Sequence, residues 1–274
     1  AAGTLAPAGG RPPRAAPDRL TESTDRGRYL FWPYVLHLWA IFGLAISNAL
    51  LALSILVAPI AGGWRKIPWE RHRALLTPLA LYVLFLAVSI AGSTDPATSW
   101  PAAGEIFSLA TVLLGLVALA DERRLRLAVD GTIVVAALFS VWGLAQFLDG
   151  AGGLEWRIRG PFSHYMTFAG VLLIVDLVLV AQLASFRHGR WGWRWLALIL
   201  INAALVGSLT RSAWVALILA VTLLFLLRAP KFLLVLAPAA LAILLISPQP
   251  VRDRAVSIFS LRNVTNYDRL CMAE

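Results

Sequence analysis

The chain has 274 residues, of which 59% are hydrophobic and 14% charged, and its mean hydropathy is +0.75. This composition cannot present a charged surface to water on all sides, which excludes an ordinary soluble globular protein and indicates a polytopic membrane protein. The formal net charge of +9 is carried by short basic clusters between apolar stretches. That distribution is typical of cytoplasmic loops beside anionic headgroups, so we expect membrane lipids, and no nucleic acid, among the partners.

Residues 1–28 are rich in Ala, Pro and Arg, with acidic residues interspersed. We predict a disordered basic cytoplasmic tail, because this stretch has neither the apolar segment of a signal peptide nor enough apolar surface to fold. Cys271 is the lone cysteine, and the sequence has no closely spaced His/Cys cluster suited to a structural metal. We therefore expect no disulfide within the chain, no metal and no cofactor.

Residues 29–247 are predicted to form an all-α transmembrane domain, since about 20 apolar residues are needed for a helix to cross the hydrocarbon core. The apolar run at 30–60 is too long for one span, and Ser47-Asn48 is its predicted break. Nine spans are placed near 30–46, 48–60, 74–91, 103–120, 127–147, 164–185, 194–209, 212–227 and 232–247. Prolines end the ninth span, and residues 248–274 are expected to begin an extracytoplasmic segment.

The Lys and Arg residues set the orientation of these spans. With a cytoplasmic N-terminus, 17 of the 24 fall in inside segments, as the positive-inside rule requires. A single span at 30–60 would invert every later loop, so the broken pair is favoured. The outside cations are Arg157, Arg159, Arg211, Arg252, Arg254, Arg262 and Arg269.

The outer loop before the sixth span contains the first candidate site. Arg157 and Arg159 are followed by a Gly160-Pro161 turn and by His164 at the mouth of the helix. Arginine suits phosphate oxygens because its planar fork donates in bidentate fashion and keeps its charge. The alternative is an interfacial anchor at headgroup level, with His164 as a helix-entry residue.

Arg211 is the second candidate, in the stretch Leu209-Thr210-Arg211-Ser212 between two apolar runs. A fixed charge beside hydrocarbon must be compensated. A guanidinium in so tight a turn is held near the helices, where it could bind a lipid-linked pyrophosphate. The alternative is that it snorkels to the interface.

Asp176 is the acidic residue placed well within an apolar run, in the predicted sixth span. An intramembrane carboxylate suggests a proton-coupled group. It could equally pair with Asn202 or Gln182 across helices.

Three stretches, in this order on one predicted membrane face, resemble the O-antigen ligase and polymerase family of bacterial envelope glycosyltransferases. They are Arg159-Gly160-Pro161-Phe162-Ser163-His164 with Ala169-Gly170, then Leu209-Thr210-Arg211-Ser212-Ala213-Trp214, then Asn266-Tyr267-Asp268-Arg269-Leu270-Cys271-Met272. The resemblance covers about residues 30–274 and implies an architecture similar to C-type glycosyltransferases.

What the resemblance implies is transfer of a glycan from an undecaprenyl-pyrophosphate carrier at the periplasmic face of the bacterial inner membrane, without a metal. The acceptor is a hydroxyl of the lipid A core or of another lipid-linked repeat. Arginines matching Arg211 and Arg269 hold the pyrophosphate in this family. Arg157 and Arg159 join them as candidates because they lie on the same predicted face.

This chain departs from the family at two points. His164 is followed by Tyr165-Met166, where many members have Pro-Asn, which weakens a catalytic role for His164 but not helix entry. In the family, the segment that matches residues 248–274 begins a large periplasmic loop, and this loop carries the histidine expected as base. The resemblance therefore implies that the loop is truncated at residue 274, and we expect much of the donor site without the complete catalytic machinery. Two other classes stay open: a transporter or flippase with Asp176 as the coupling residue, and a non-catalytic membrane scaffold.

Overall fold

A computed structural model describes residues 19–41, 43–60, 70–100, 104–151, 153, 156–185, 192–228, 230, 234, 242, 245–246 and 249–257. This described part is helical and contains no β-strand, which confirms the all-α prediction for it. The helices with described bounds are α1 Arg19–Trp39, α2 Leu44–Ile60, α3 Arg73–Ala91, α4 Pro96–Ser99, α5 Gly104–Ala118, α6 Glu122–Leu148, α7 Tyr165–Ser185, α8 Gly192–Gly207, α9 Arg211–Arg228 and α10 Gln249–Val256.

Four helices, α3, α6, α7 and α9, are long and apolar enough to cross a membrane. Shorter apolar helices lie within α2, α5 and α8. Large apolar side chains on the outer surface of these helices stay exposed, as the hydrocarbon of a bilayer permits. The described part of the chain is therefore all-helical and typical of a membrane protein, and the count of nine spans stays a prediction.

The break in the first apolar run was predicted at the wrong place. α1 ends at Trp39 and α2 begins at Leu44, so the break surrounds Gly43 and not Ser47-Asn48. Gly43 lacks a Cβ and weakens a helix, whereas Ser47 is inside α2, where its hydroxyl bonds to the carbonyl oxygen of His37 at 3.2 Å.

The first helix also begins earlier than predicted, because residues 19–28, assigned to the disordered tail, have a helical backbone. Polar residues such as Arg and Glu have good helix propensity, so a helix can extend beyond the apolar stretch that identified it. Three stretches with predictions lie outside the described residues, apart from isolated positions in the last of them. They are residues 1–18, residues 258–274 and the predicted ninth span near 232–247.

The chain divides into two compact units, Ala1–Leu125 and Arg126–Glu274. In the first unit α1 packs on α2, and both pack on α5. In the second unit α7 packs on α8 and α9, and buried residues of α6 belong to the same core. All candidate site residues within the described part lie in the second unit.

A histidine connects three helices of the first unit. His37 Nδ1 lies 2.8 Å from the carbonyl oxygen of Ser47, and its Nε2 lies 3.1 Å from Oγ1 of Thr111. The ring thereby joins α1, α2 and α5. Close packing of α1 on α5 depends on Gly115, where a Cβ would lie 2.6 Å from the hydroxyl oxygen of Tyr34.

An ion pair joins two helices of the second unit. Arg194 of α8 donates to Asp130 of α6 at 2.5 Å, and its guanidinium lies 5.0 Å from the ring centroid of Trp193. The pair is partly shielded from water, so removing either partner would leave the other charge uncompensated.

Candidate functional site

The loop between α6 and α7 holds its arginines beside the end of α8. Ile158, between Arg157 and Arg159, is fully buried in the core of the second unit. A Cβ on Gly207, the last residue of α8, would lie 2.9 Å from Cδ1 of Ile158. The apolar side chain therefore anchors the loop, and the charged neighbours point elsewhere.

Gln146 of α6 fixes the backbone of this loop. Its side-chain nitrogen donates to the carbonyl oxygen of Gly160 at 2.8 Å, and its oxygen accepts from the amides of Arg159 and Gly160 at 3.0 and 3.1 Å. Gly160 has φ +56, in the left-handed region, and a Cβ there would lie 2.7 Å from the ring of Phe168. Glycine is required at this position for both reasons.

Aromatic and charged side chains stack at the start of α7. The Arg157 guanidinium lies 4.4 Å from the ring centroid of Tyr165, a cation–π contact. The His164 ring stacks on Tyr165 with centroids 4.5 Å apart, and Nδ1 of His164 accepts from the amide of Met166 at 3.2 Å. These contacts support the helix-entry role of His164, and nothing in the geometry bears on catalysis by it.

A buried turn connects α8 to α9. Ser208, Leu209 and Thr210 are all buried, and Leu209 has φ +53, which an L-residue adopts only under strain. The carbonyl oxygen of Thr210 accepts from the amides of Ala213 and Trp214, which starts α9. Arg211 is consequently the first residue of α9, where its positive charge adds to the positive end of the helix dipole.

Two reciprocal hydrogen bonds join the region around this turn to the region around α10. Nη1 of Arg211 donates to the carbonyl oxygen of Ser257 at 2.9 Å, and Nε of Arg254 donates to the carbonyl oxygen of Leu209 at 3.2 Å. Both guanidiniums are partly buried. Each arginine therefore binds a backbone carbonyl on the segment that carries the other.

The electrostatics bring a third arginine to the same place. Burial lowers the pKa of the Arg254 guanidinium, and the charges of Arg157 and then Arg211 lower it further. Within the described residues, neither Arg211 nor Arg254 is ion-paired with a carboxylate. Three guanidiniums therefore share one region, and an anion with several oxygens would relieve their repulsion through charge-assisted hydrogen bonds.

The structure does not place all of the predicted site residues in one region. The charges of Arg157 and Arg211 each act on Arg254, while Arg159 is exposed and donates to the carbonyl oxygen of Ser163 at 3.4 Å. Arg269 lies outside the described residues. Sequence reasoning counted Arg254 among the outside cations but gave it no role; the signal available was its location on the same predicted face.

Asp176 is buried between α7 and α8. Its Oδ1 accepts from Nδ2 of Asn202 at 2.9 Å, so the predicted pairing with Asn202 is confirmed. Among the described residues, Oδ2 of Asp176 and Oε1 of Gln182 have no hydrogen-bond partner. Gln182 is therefore not the partner of this carboxyl group.

The described residues contain no group of three His, Cys, Asp or Glu side chains placed to hold a metal ion. Comparison with protein families, curated proteins and solved structures finds no match to this chain. The arrangement of its own residues is thus what supports a function.

Proposed function

We propose that this protein is a membrane glycosyltransferase that moves a glycan from an undecaprenyl-pyrophosphate carrier to an acceptor hydroxyl in O-antigen or related surface-polysaccharide assembly. The observation that carries the proposal is that the charges of Arg157 and Arg211 both act on Arg254, beside helices apolar enough to cross a membrane. A pyrophosphate on a lipid chain matches such a site, because its charge suits the guanidiniums and its chain suits the helices.

The surface of α9 supports a lipid-linked ligand over a free one. Val215, Ile218 and Leu219 follow Arg211 at spacings of four, seven and eight residues, and all three are exposed. Residues at these spacings share one helix face. A single face of α9 thus presents a guanidinium at its start and hydrocarbon-compatible side chains below it.

In the proposed reaction, negative charge develops on the pyrophosphate that the arginines bind. The acceptor oxygen forms a bond to the anomeric carbon as the bond between that carbon and the pyrophosphate oxygen breaks. The pyrophosphate leaves with the electron pair, and preoriented guanidiniums in a water-poor site stabilise that developing charge. The acceptor proton passes to a general base.

In this proposal Arg211 and Arg157 hold the pyrophosphate, with Arg159 and Arg269 as further contacts. The acceptor is the lipid A core or another lipid-linked repeat unit. The proposed topology has nine spans, a cytoplasmic N-terminus, and the arginines at the periplasmic face of the bacterial inner membrane.

Substitution of the arginines tests this function. Arg211→Ala or Arg269→Ala in cells should abolish the lipopolysaccharide ladder while membrane insertion persists. Arg228→Ala, at the opposite end of α9, removes an equal charge and should leave the ladder unchanged. Normal ladders from both Arg211→Ala and Arg269→Ala would refute the proposal.

A transporter or flippase is the second candidate, favoured by the buried Asp176, whose Oδ2 has no partner among the described residues. Such a carboxyl group within a span could couple transport to protons. Proton-dependent uptake that is lost in Asp176→Asn would support this candidate, and glycan transfer that is unchanged in Asp176→Asn would argue for the first one.

A further inference from the structure

The short helix α10 has little apolar surface to hold it in place. Of its eight residues, Gln249–Val256, Val251 is the buried one. Hydrophobic burial scales with the apolar area removed from water, so a single valine provides a weak anchor. Its position must depend strongly on its polar contacts.

Those contacts are made by the two arginines described above. Arg254 reaches from α10 to the carbonyl oxygen of Leu209, and Arg211 reaches from α9 to Ser257. The hydroxyl of Ser257 in turn donates to the carbonyl oxygen of Arg254 at 2.6 Å, closing the end of α10. The Arg157 guanidinium, which lies over the ring of Tyr165, adds its charge to that of Arg211 in acting on Arg254.

Arg254 retains most of its donors. A guanidinium has five N–H groups, and Arg254 uses Nε for Leu209, while its two Nη atoms bond to no acceptor among the described residues. Docking α10 also places this charge near Arg157 and Arg211, which repel it. In the docked position of α10, Arg254 is therefore repelled by two other arginines and still has N–H groups without an acceptor among the described residues.

We propose that Arg254 is a third anion-binding residue of the site, and that the bound pyrophosphate docks α10 on the turn between α8 and α9. This inference rests on the proposed function and extends it to a residue and a segment for which the sequence indicated no role. Without the anion, like charges oppose docking. With the anion, both Nη atoms gain acceptors and the repulsion among the three positive charges is reduced.

The test uses the full chain in lipid nanodiscs with inorganic pyrophosphate as the probe, and measures affinity and hydrogen exchange of amides 249–257. In the wild type, pyrophosphate should slow exchange in this segment more than potassium chloride of equal ionic strength, since salt only screens the charges. Because this measurement uses the wild-type protein, it tests the proposal even if a substituted variant does not fold. Equal protection by both salts would overturn the proposal.

Arg254→Gln should weaken pyrophosphate binding about tenfold or more, as loss of a charge-assisted contact does. Arg252→Gln, on the exposed part of the same helix, removes the same charge and should change affinity less than about twofold. If Arg254→Gln binds as tightly as the wild type while Arg211→Gln does not, this inference fails and the proposed function stands. If the wild type binds no pyrophosphate, both fail.

Discussion

Arg211 and Ser257 are 46 positions apart in the sequence, and Nη1 of Arg211 donates to the carbonyl oxygen of Ser257 at 2.9 Å. This bond joins the start of α9 to the end of α10. It orients the guanidinium across the buried turn and, with a longer contact from Nη1 to the hydroxyl oxygen of Ser257 at 3.4 Å, leaves Nε and Nη2 for an anion. Arg211 is thus positioned by a backbone carbonyl and not by a carboxylate among the described residues.

Replacing this arginine by lysine should remove function although the charge is kept. Lysine has three donors on a single nitrogen and no planar fork, so Arg211→Lys cannot keep the bond to Ser257 while presenting a bidentate pair of donors to phosphate oxygens. We expect glycan transfer to fall about a hundredfold, the order seen when one donor to a developing anion is lost. The measurement is turnover with a lipid-pyrophosphate donor in proteoliposomes. Arg228→Lys is the control, and a lysine variant with wild-type turnover would show that charge alone suffices.

Gly160 should be intolerant of alanine. Its φ of +56 disfavours a side chain, and an added Cβ would lie 2.7 Å from the ring of Phe168. Gly160→Ala should therefore lower the free energy of unfolding by about 1–3 kcal/mol. Gly153→Ala is the matched control, because a Cβ at Gly153 meets nothing within 4 Å. Thermal unfolding in detergent compares the two, and equal midpoints would contradict the strained-loop interpretation.

Gln146 should matter to the same loop, whereas Gln182 should not. Gln146→Leu leaves the amides of Arg159 and Gly160 without their acceptor and should destabilise the protein by about 1–3 kcal/mol. Gln182 carries an oxygen with no partner among the described residues, so Gln182→Leu should be neutral or stabilising. Chemical denaturation of both variants provides the measurement. A larger loss in Gln182→Leu would reverse the assignment.

The pair Asp176–Asn202 should contribute to packing of α7 on α8. A double-mutant cycle with Asp176→Ala and Asn202→Leu should give a coupling of about 0.6 kcal/mol, the average for hydrogen bonds between membrane helices. Steric trapping or denaturation in bicelles measures it. A coupling near zero would mean that the two side chains are neighbours without a stabilising bond.

Asp95 should show a local pH dependence. The hydroxyl of Thr98 holds the pKa of this exposed carboxyl below its usual range, with help from the amide of the same residue. A carboxyl group with a depressed folded pKa stabilises its surroundings above the unfolded pKa and loses that effect as pH falls through the folded pKa. The first turn of α4 should therefore loosen in acid.

Thr98→Val tests the cause, because it removes the hydroxyl and keeps the shape. The carboxyl carbon of Asp95, followed by NMR, should titrate at a higher pH in Thr98→Val than in the wild type. The variant Thr77→Val, in the exposed part of α3, is the control. An unchanged titration would leave the hydroxyl without the assigned effect.

The sequence by itself determined the class of this protein and most of its helices. In lipid, the backbone N–H and C=O groups of an apolar run must hydrogen-bond to each other, and a helix satisfies them all within one segment. For that reason α3, α6, α7 and α9 lie close to their predicted positions. Arg157 and Arg211 could also be proposed as site residues, because their isolation among apolar spans is visible in the sequence.

Only the tertiary structure decided which of these charges share a region. Arg254 becomes part of the arginine group because α10 folds back on the turn that carries Leu209, and no periodicity records a contact between such distant segments. Likewise Gly43, and not Ser47, breaks the first apolar run, since Ser47 finds its partner in His37. Local sequence sets backbone hydrogen bonding, whereas long-range contacts depend on packing between segments.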